Sequence, residues 1–205
     1  MNRREALAGL LPLAAALLAR PSSVLAGAQV YEPIAESVRN QLRIVVQHRR
    51  APVLHFGNAG DAHRWSSEMS RRLRAHIPDR HERDDFLKTV HYYAIRARLD
   101  PQLVLGLIHV ESRYKRYAVS SAGAMGYMQV MPFWIKVIGQ PNDNLFHMRT
   151  NIVYGCAILQ HYVDIEKGDY FRALGRYNGS LGRPEYPNAV RAAWKDRWGY
   201  DGATS

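Results

Sequence analysis

The stretch DPQLVLGLIHVESRYKRYAVSSAGAMGYMQVMP, residues 100–132, contains the most informative residues of the chain. Asp100 followed by Pro101 predicts a helix N-cap with proline at the first helical position. The run that follows is apolar on nearly every side, which predicts a central buried helix. It ends at Glu111, and the next carboxylate, Asp143, comes 32 positions later. The sequence therefore predicts one isolated carboxylate at the edge of a hydrophobic core.

Such a carboxylate is suited to proton transfer. Burial raises the pKa of a carboxyl group because the charged form loses its hydration, so Glu111 is expected to hold a proton near neutral pH and to deliver it to a leaving group. Taken alone, Glu111 is equally well explained by a surface ion pair with Arg113 or Lys115. The flanking sequence favours a functional site, because Gly123 and Gly126 let the backbone approach a ligand closely.

Apolar periodicity predicts helices along the rest of the chain. The patterns cover residues 33–48, 62–77, 84–99, 125–139, 150–168, 169–180 and 186–198. The pattern at 125–139 contains Pro132, at which an interruption is expected. No strand-like alternation of useful length occurs, so the predicted class is all-α.

Residues 1–28 have the pattern of a secretory signal peptide. Arg3 and Arg4 precede an apolar run, and Ala26 and Ala28 form an A-x-A cleavage site. The paired arginines leave the twin-arginine route and the general secretory route both open. The apolar run is too short to span a bilayer, so no transmembrane segment is expected in the mature chain. The predicted location is periplasmic.

Residues 29–80 form a basic N-terminal extension with two helical patterns, rich in arginine and without lysine. The favoured interpretation is a helical hairpin with solvated basic faces, and the alternative is a docking surface for an anionic partner. The formal net charge of the whole chain is +10, which favours anionic partners such as cell-wall polymers. Export makes nucleic acid the least expected of these partners.

No metal site, disulfide or cofactor is predicted. Five of the nine histidines lie between His48 and His81, but no two of the five have the i,i+4 spacing of helical metal ligands. The single cysteine, Cys156, lies in an apolar helical pattern and is expected to be a buried small side chain.

The segment ESRYKRYAVSSAGAMGYMQVMP resembles the signature of soluble-type lytic transglycosylases, whose fold is related to that of goose-type lysozymes. The matching positions are Glu111, Ser112, Tyr114, Ala118, Ser120, Gly123, Ala124, Gly126, Met128, Gln129 and Pro132. The later segment ALGRYNGSLG resembles the Tyr-Asn segment of that family at Tyr177 and Asn178. Tyr127, where the family usually has leucine, and Arg176, where it usually has a small residue, depart from the pattern. The resemblance implies a lysozyme-like helical catalytic domain at residues 81–205.

The resemblance also implies a reaction. Peptidoglycan would be cut between N-acetylmuramic acid and N-acetylglucosamine, and the muramic acid 6-hydroxyl would close on C1 to give a 1,6-anhydro sugar. Glu111 would serve first as general acid and then as general base. The implied substrate-binding residues are Ser120, Gln129, Met131, Tyr177 and Asn178. Among them, Tyr177 is expected to lie near Glu111 and to orient it or the substrate N-acetyl group.

Two alternatives stay open at this point. A hydrolytic muramidase of the same fold needs a base to activate water, for which Asp143, Asp164 or Glu185 are the downstream candidates. A non-catalytic wall-binding or assembly factor would instead use the basic residues 29–80 as its working surface. The predicted partner is the peptidoglycan glycan strand, and association with an envelope or secretion assembly is left open.

Overall fold

The computed structural model describes residues 29–47 and 51–202, so the predicted signal peptide lies outside the described residues. Within these ranges the chain is helical, and its β-structure is limited to isolated bridges. The helices are α1 (Glu36–Gln47), α2 (Ala59–Leu73), α3 (Arg80–Arg96), α4 (Pro101–Glu111), α5 (Phe133–Ile138), α6 (Met148–Ile165), α7 (Tyr170–Asn178) and α8 (Glu185–Ala192), with a π-helical segment at Ala193–Arg197. The predicted all-α class is confirmed.

Helix α4 is the central helix, as its apolar sequence predicts. The Asp100 side chain caps it by accepting a 2.7 Å hydrogen bond from the Gln102 backbone N–H, and Pro101 opens its first turn. All residues from Pro101 to Ile108 are buried. Gly106 is required by close packing, because a Cβ atom there would lie 2.8 Å from the Trp194 backbone nitrogen. Helix α4 is thereby surrounded by α3, α8 and the π-helical segment.

The N-terminal helices belong to the same hydrophobic core as the rest of the chain. Leu42 and Val46 of α1 are buried, as are Trp65 and Met69 of α2. Helix α1 packs against α5 and α6, and helix α2 packs against α3. Arg72 of α2 also donates hydrogen bonds to the carbonyls of Arg197 and Gly199 near the C-terminus. Residues 36–80 therefore help to stabilise the fold that carries Glu111.

The helix predicted over 125–139 is wrong in its first half. Residues 125–132 form a tight loop, and α5 begins at Phe133. Gly126 and Gln129 have φ values of +76° and +48°, which end any helix because they belong to the left-handed region. Met125 and Val130 exchange two backbone hydrogen bonds of 3.0 Å across this loop.

No helix in the two described ranges is both long and apolar enough to cross a membrane. Cys156 is buried in α6, as predicted, and burial raises the pKa of its thiol. The thiolate is therefore disfavoured, which fits a packing role.

Candidate active site

Glu111 lies at the C-terminal end of α4, where the chain turns sharply. Arg113 and Tyr114 adopt left-handed conformations with φ of +50° and +63°. The Ser112 hydroxyl donates a 2.7 Å hydrogen bond to the Tyr127 carbonyl, and the Tyr114 hydroxyl donates a 2.8 Å bond to the Leu105 carbonyl. These bonds fix the end of α4 against both the following loop and its own helix.

The Glu111 carboxyl group is buried, with 6% of the residue exposed. Its Oε1 accepts a 2.5 Å hydrogen bond from the hydroxyl of Tyr186, which α8 contributes. Its Oε2 is buried and has no hydrogen-bond partner among the described residues. Burial raises the pKa of Glu111 to about 8, while the Tyr186 hydrogen bond acts in the opposite direction. The carboxyl is therefore mostly protonated at neutral pH and has one oxygen available for a ligand.

The loop at 118–132 stands beside this carboxyl and is held by its own backbone. Ser120 and Ala124 face each other, and the Gly126 N–H donates to the Ala118 carbonyl. A side chain at Gly126 has no room, because its Cβ atom would lie 2.4 Å from the Asn151 Nδ2 atom. The small residues of this loop are thus needed for its shape.

Asn151 of α6 clamps the loop from outside the motif. Its Oδ1 accepts a 2.7 Å hydrogen bond from the Met128 N–H. Its Nδ2 donates to the carbonyls of Met125 and Leu145 at 2.8 and 2.9 Å. Asn151 is fully buried, so these three bonds replace all of its contact with water. The loop that carries the predicted sugar-binding residues therefore depends on α6.

Two of the predicted substrate-binding residues use their polar groups within this loop. The Ser120 hydroxyl accepts a 3.1 Å hydrogen bond from the Ala124 N–H. Gln129 is buried, and its Nε2 donates to the carbonyls of Ala118 and Gly126 at 3.1 and 2.9 Å. In this structure both side chains maintain the loop, and contact with a sugar stays a prediction.

The other three predicted residues lie nearby. Met131 is partly buried at the end of the loop, and Asn178 is buried with its Oδ1 lacking a partner among the described residues. Tyr177 is fully buried and close enough to Glu111 for the two groups to interact electrostatically. Its hydroxyl, however, donates a 2.8 Å hydrogen bond to the Met128 carbonyl. The hydroxyl bonded to Glu111 is that of Tyr186.

Sequence reasoning did not assign a role to Tyr186 or Asn151. Both are polar or partly polar side chains within helical patterns, and buried groups of this kind need hydrogen-bond partners. That requirement was the available signal, but it does not name the partner. The partners lie 75 positions away for Tyr186 and 23 positions away, at Met128, for Asn151.

His109, two residues before Glu111, faces the aromatic rings of Tyr114 and Trp198. Burial, followed by the nearby cations Arg197, His76 and Arg113, lowers the pKa of His109 to about 4. It is neutral at the pH at which Glu111 holds its proton, which agrees with its predicted role as a packed histidine. Across the residues that the structure describes, no three His, Cys, Asp or Glu side chains come together as metal ligands.

Comparison with known proteins identifies the fold around Glu111. Residues 88–195, more than half of the chain, match the model of the transglycosylase SLT domain family. The chain belongs to this family. The match begins within α3 and ends within the π-helical segment, so it contains α4, the loop, and Tyr186.

Three relatives illustrate the similarity. The chain is 33% identical over 99 residues to the transglycosylase of Enterobacteria phage PRD1, covering 48% of this chain and 36% of the phage protein. It is 35% identical over 98 residues to membrane-bound lytic murein transglycosylase C of Mannheimia succiniciproducens, covering 43% and 26%. For the protein of the same name from Histophilus somni strain 2336 the identity is 37% over 93 residues, covering 41% and 25%. The chain thus matches about a third or less of the length of these relatives.

In this SLT domain we expect Tyr186→Phe to raise the pKa of Glu111, because the hydrogen bond that lowers it is lost. The alkaline limb of the pH–rate profile should move to higher pH. The turnover number should fall about tenfold, since the Glu111 anion loses its donor. Tyr177→Phe is the matched comparison, because its hydroxyl bonds the Met128 carbonyl and should leave the alkaline limb in place. An unchanged limb in Tyr186→Phe would contradict this role.

Proposed function

We propose that the chain is a lytic transglycosylase that cuts peptidoglycan between N-acetylmuramic acid and N-acetylglucosamine and forms 1,6-anhydro-N-acetylmuramic acid. One observation carries the proposal. Glu111 is buried with a pKa of about 8, and no other described charged group contributes to that shift. A single carboxylate that starts protonated and then loses its proton suits a reaction in which one residue performs both proton transfers.

In the first step, Glu111 donates its proton to the glycosidic oxygen as the bond to C1 breaks. The leaving sugar departs as an alcohol, and positive charge develops at C1 and the ring oxygen. The substrate N-acetyl group can stabilise this charge, as in substrate-assisted glycosidases. The Glu111 anion retains the hydrogen bond from Tyr186, whose donor is already in place.

In the second step, the Glu111 carboxylate accepts the proton of the muramic acid 6-hydroxyl while that oxygen bonds to C1. The product is the anhydro sugar, water is not consumed, and Glu111 is protonated again. The high pKa of Glu111 favours this second transfer as well, because a carboxylate in an apolar site is a stronger base than one in water.

The contacts of the candidate water-activating acids favour the transglycosylase over a muramidase. Asp143 accepts hydrogen bonds from the Tyr154 hydroxyl and the Gln140 N–H, at 2.5 and 3.1 Å. Asp164 is exposed at the end of α6 and pairs with Arg98. Glu185 is exposed at the start of α8. None of the three contributes to the pKa shift of Glu111.

The names of the relatives support a place in the cell envelope. Several are membrane-bound lytic murein transglycosylases, proteins described as acting on murein. We extend peptidoglycan as the substrate, and the periplasm as the location, to this chain as part of the proposal. The predicted signal peptide at residues 1–28 is consistent with export.

The pH dependence of the reaction follows from the Glu111 pKa. General acid catalysis requires the protonated form, so kcat/KM is expected to be constant below about pH 8 and to fall about tenfold per unit above it. Initial rates of muropeptide release in buffers between about pH 5 and pH 10 measure this. An alkaline limb near the ordinary carboxyl pKa of 4.5 would contradict the assignment of Glu111 as the acid.

The product decides between the two enzymatic possibilities. Purified peptidoglycan is incubated with the protein, and the released muropeptides are analysed by mass spectrometry. Anhydro ends support the proposed reaction. Reducing ends, heavier by one water, would replace it with hydrolysis and direct attention to a second carboxylate.

A further inference from the structure

Residues 29–34, before α1, lie against the same region as the catalytic loop. Gln29 is buried, with 4% of the residue exposed. Its Oε1 accepts hydrogen bonds from the Trp134 Nε1 group at 3.0 Å and from the Met131 N–H at 3.3 Å. The N-terminal extension therefore places an amide directly beside Met131, which was predicted to line the sugar site.

Two further contacts hold this segment in place. The Tyr31 ring packs edge-on against Phe133, with 5.7 Å between centroids. Both carboxylate oxygens of Glu32 accept hydrogen bonds from the Arg176 Nη1 group, at 2.8 and 2.9 Å. Phe133 follows the catalytic loop and Arg176 precedes Tyr177, so the segment is anchored at both sides of the site.

The remaining polar group of Gln29 is not used by the fold. Its Nε2 is buried and completes no hydrogen bond among the described residues, although the Tyr177 hydroxyl lies close enough to sense the amide. Tyr177 also interacts with Glu111 and is followed by Asn178. Glu111 Oε2 and Asn178 Oδ1 are likewise buried without partners. Three unsatisfied polar atoms around one tyrosine are costly unless a polar ligand binds them.

We propose that Gln29 is a substrate-binding residue of the glycan site. Its Nε2 group donates a hydrogen bond to an acceptor oxygen of the sugar next to the cut, such as an N-acetyl carbonyl or a hydroxyl. Residues 29–32 thus form one wall of the site, and the N-terminal extension takes part in substrate recognition. This inference rests on the proposed function, because it assumes that the ligand is a glycan strand.

The test uses Gln29→Met, which removes both polar atoms with little change in volume. Gln41→Met is the matched control, because Gln41 is exposed on α1 in the same extension. Binding of a GlcNAc–MurNAc oligosaccharide is measured by calorimetry in the Glu111→Gln background, where no turnover occurs. The dissociation constant is expected to rise about tenfold for Gln29→Met and to stay unchanged for Gln41→Met. With Glu111 restored, KM should rise while kcat changes less.

A second variant avoids the buried position. Glu32→Gln weakens the ion pair with Arg176 at a partly exposed site and should raise the same dissociation constant about threefold. Unchanged glycan affinity in Gln29→Met, with or without a lower Tm, would overturn the proposal and leave Gln29 as a packing partner of Trp134. Tighter binding or faster release would also overturn it, by showing that the segment obstructs the site.

These outcomes are separate from a failure of the proposed function. If the protein with Glu111 intact released no muropeptides, but Gln29→Met still weakened glycan binding, the reaction would be wrong and the binding role of Gln29 would stand. If release proceeded normally in Gln29→Met, with KM unchanged, the reaction would stand and the role of Gln29 would be rejected.

Discussion

Glu111→Gln is expected to reduce muropeptide release by at least about a thousandfold. General acid and base catalysis each contribute roughly 10²–10⁴-fold, and in the proposed reaction both depend on this one carboxyl. An amide has the same shape and retains an oxygen to accept the Tyr186 hydrogen bond, but it cannot donate a proton to a leaving oxygen. The site should therefore keep its geometry and lose its chemistry.

The measurement is quantitative mass spectrometry of muropeptides released from purified peptidoglycan. Glu36→Gln serves as the control, because Glu36 is exposed at the start of α1 and pairs only across one helical turn with Arg39 among the described contacts. It should retain full activity. If Glu111→Gln retained more than about a tenth of the activity, Glu111 would not be the acid of the reaction. Absence of release from both proteins, each shown to be folded, would favour the wall-binding alternative.

Asn151→Ala is expected to cause the largest loss of stability from a single polar side chain near the site. The substitution removes three hydrogen bonds and leaves the Met128 N–H and two carbonyls unsatisfied in a dry interior. Each unsatisfied group costs about 1–3 kcal/mol, and the cavity adds to that, so the free energy of unfolding should fall by about 3–5 kcal/mol. The melting temperature should fall by roughly 10 °C for a chain of this size.

Thermal and urea unfolding followed by circular dichroism measure this effect. Asn188→Ala is the matched control, because Asn188 is exposed on α8, and it should change the free energy of unfolding by less than about 0.5 kcal/mol. Activity at low temperature should also fall in Asn151→Ala, because the loop carrying Gln129 and Met131 loses its clamp. Equal stability of the two variants would show that the loop holds itself in place.

The sequence alone was sufficient to locate α4 and its carboxylate. The Asp100 cap, Pro101 and the apolar run are local signals, and each acts within one or two turns of the helix. A long apolar helix that ends in a lone glutamate leaves few places for that glutamate except the boundary of the core. The burial of Glu111 and the upward direction of its pKa shift follow from this position.

The loop and the hydrogen bond to Glu111 were not predictable in the same way. Residues 125–132 have helical spacing of methionines, yet the positive φ of Gly126 and Gln129 excludes a helix. What stabilises that conformation is largely Asn151, on another helix. Tyr177 and Tyr186 both fit a buried tyrosine near the site, and the three-dimensional packing of α7 and α8 decides which hydroxyl contacts Glu111.

The hydrogen bond between Tyr186 and Glu111 joins the central helix to one of the last helices of the chain. During synthesis and export, α4 emerges long before α8. A partly emerged chain would thus contain the whole catalytic motif while Glu111 still lacked its donor and the packing of α8. The cell-wall-cutting activity is then withheld until folding has reached the C-terminal helices, so an unfinished chain poses little danger to the wall it passes.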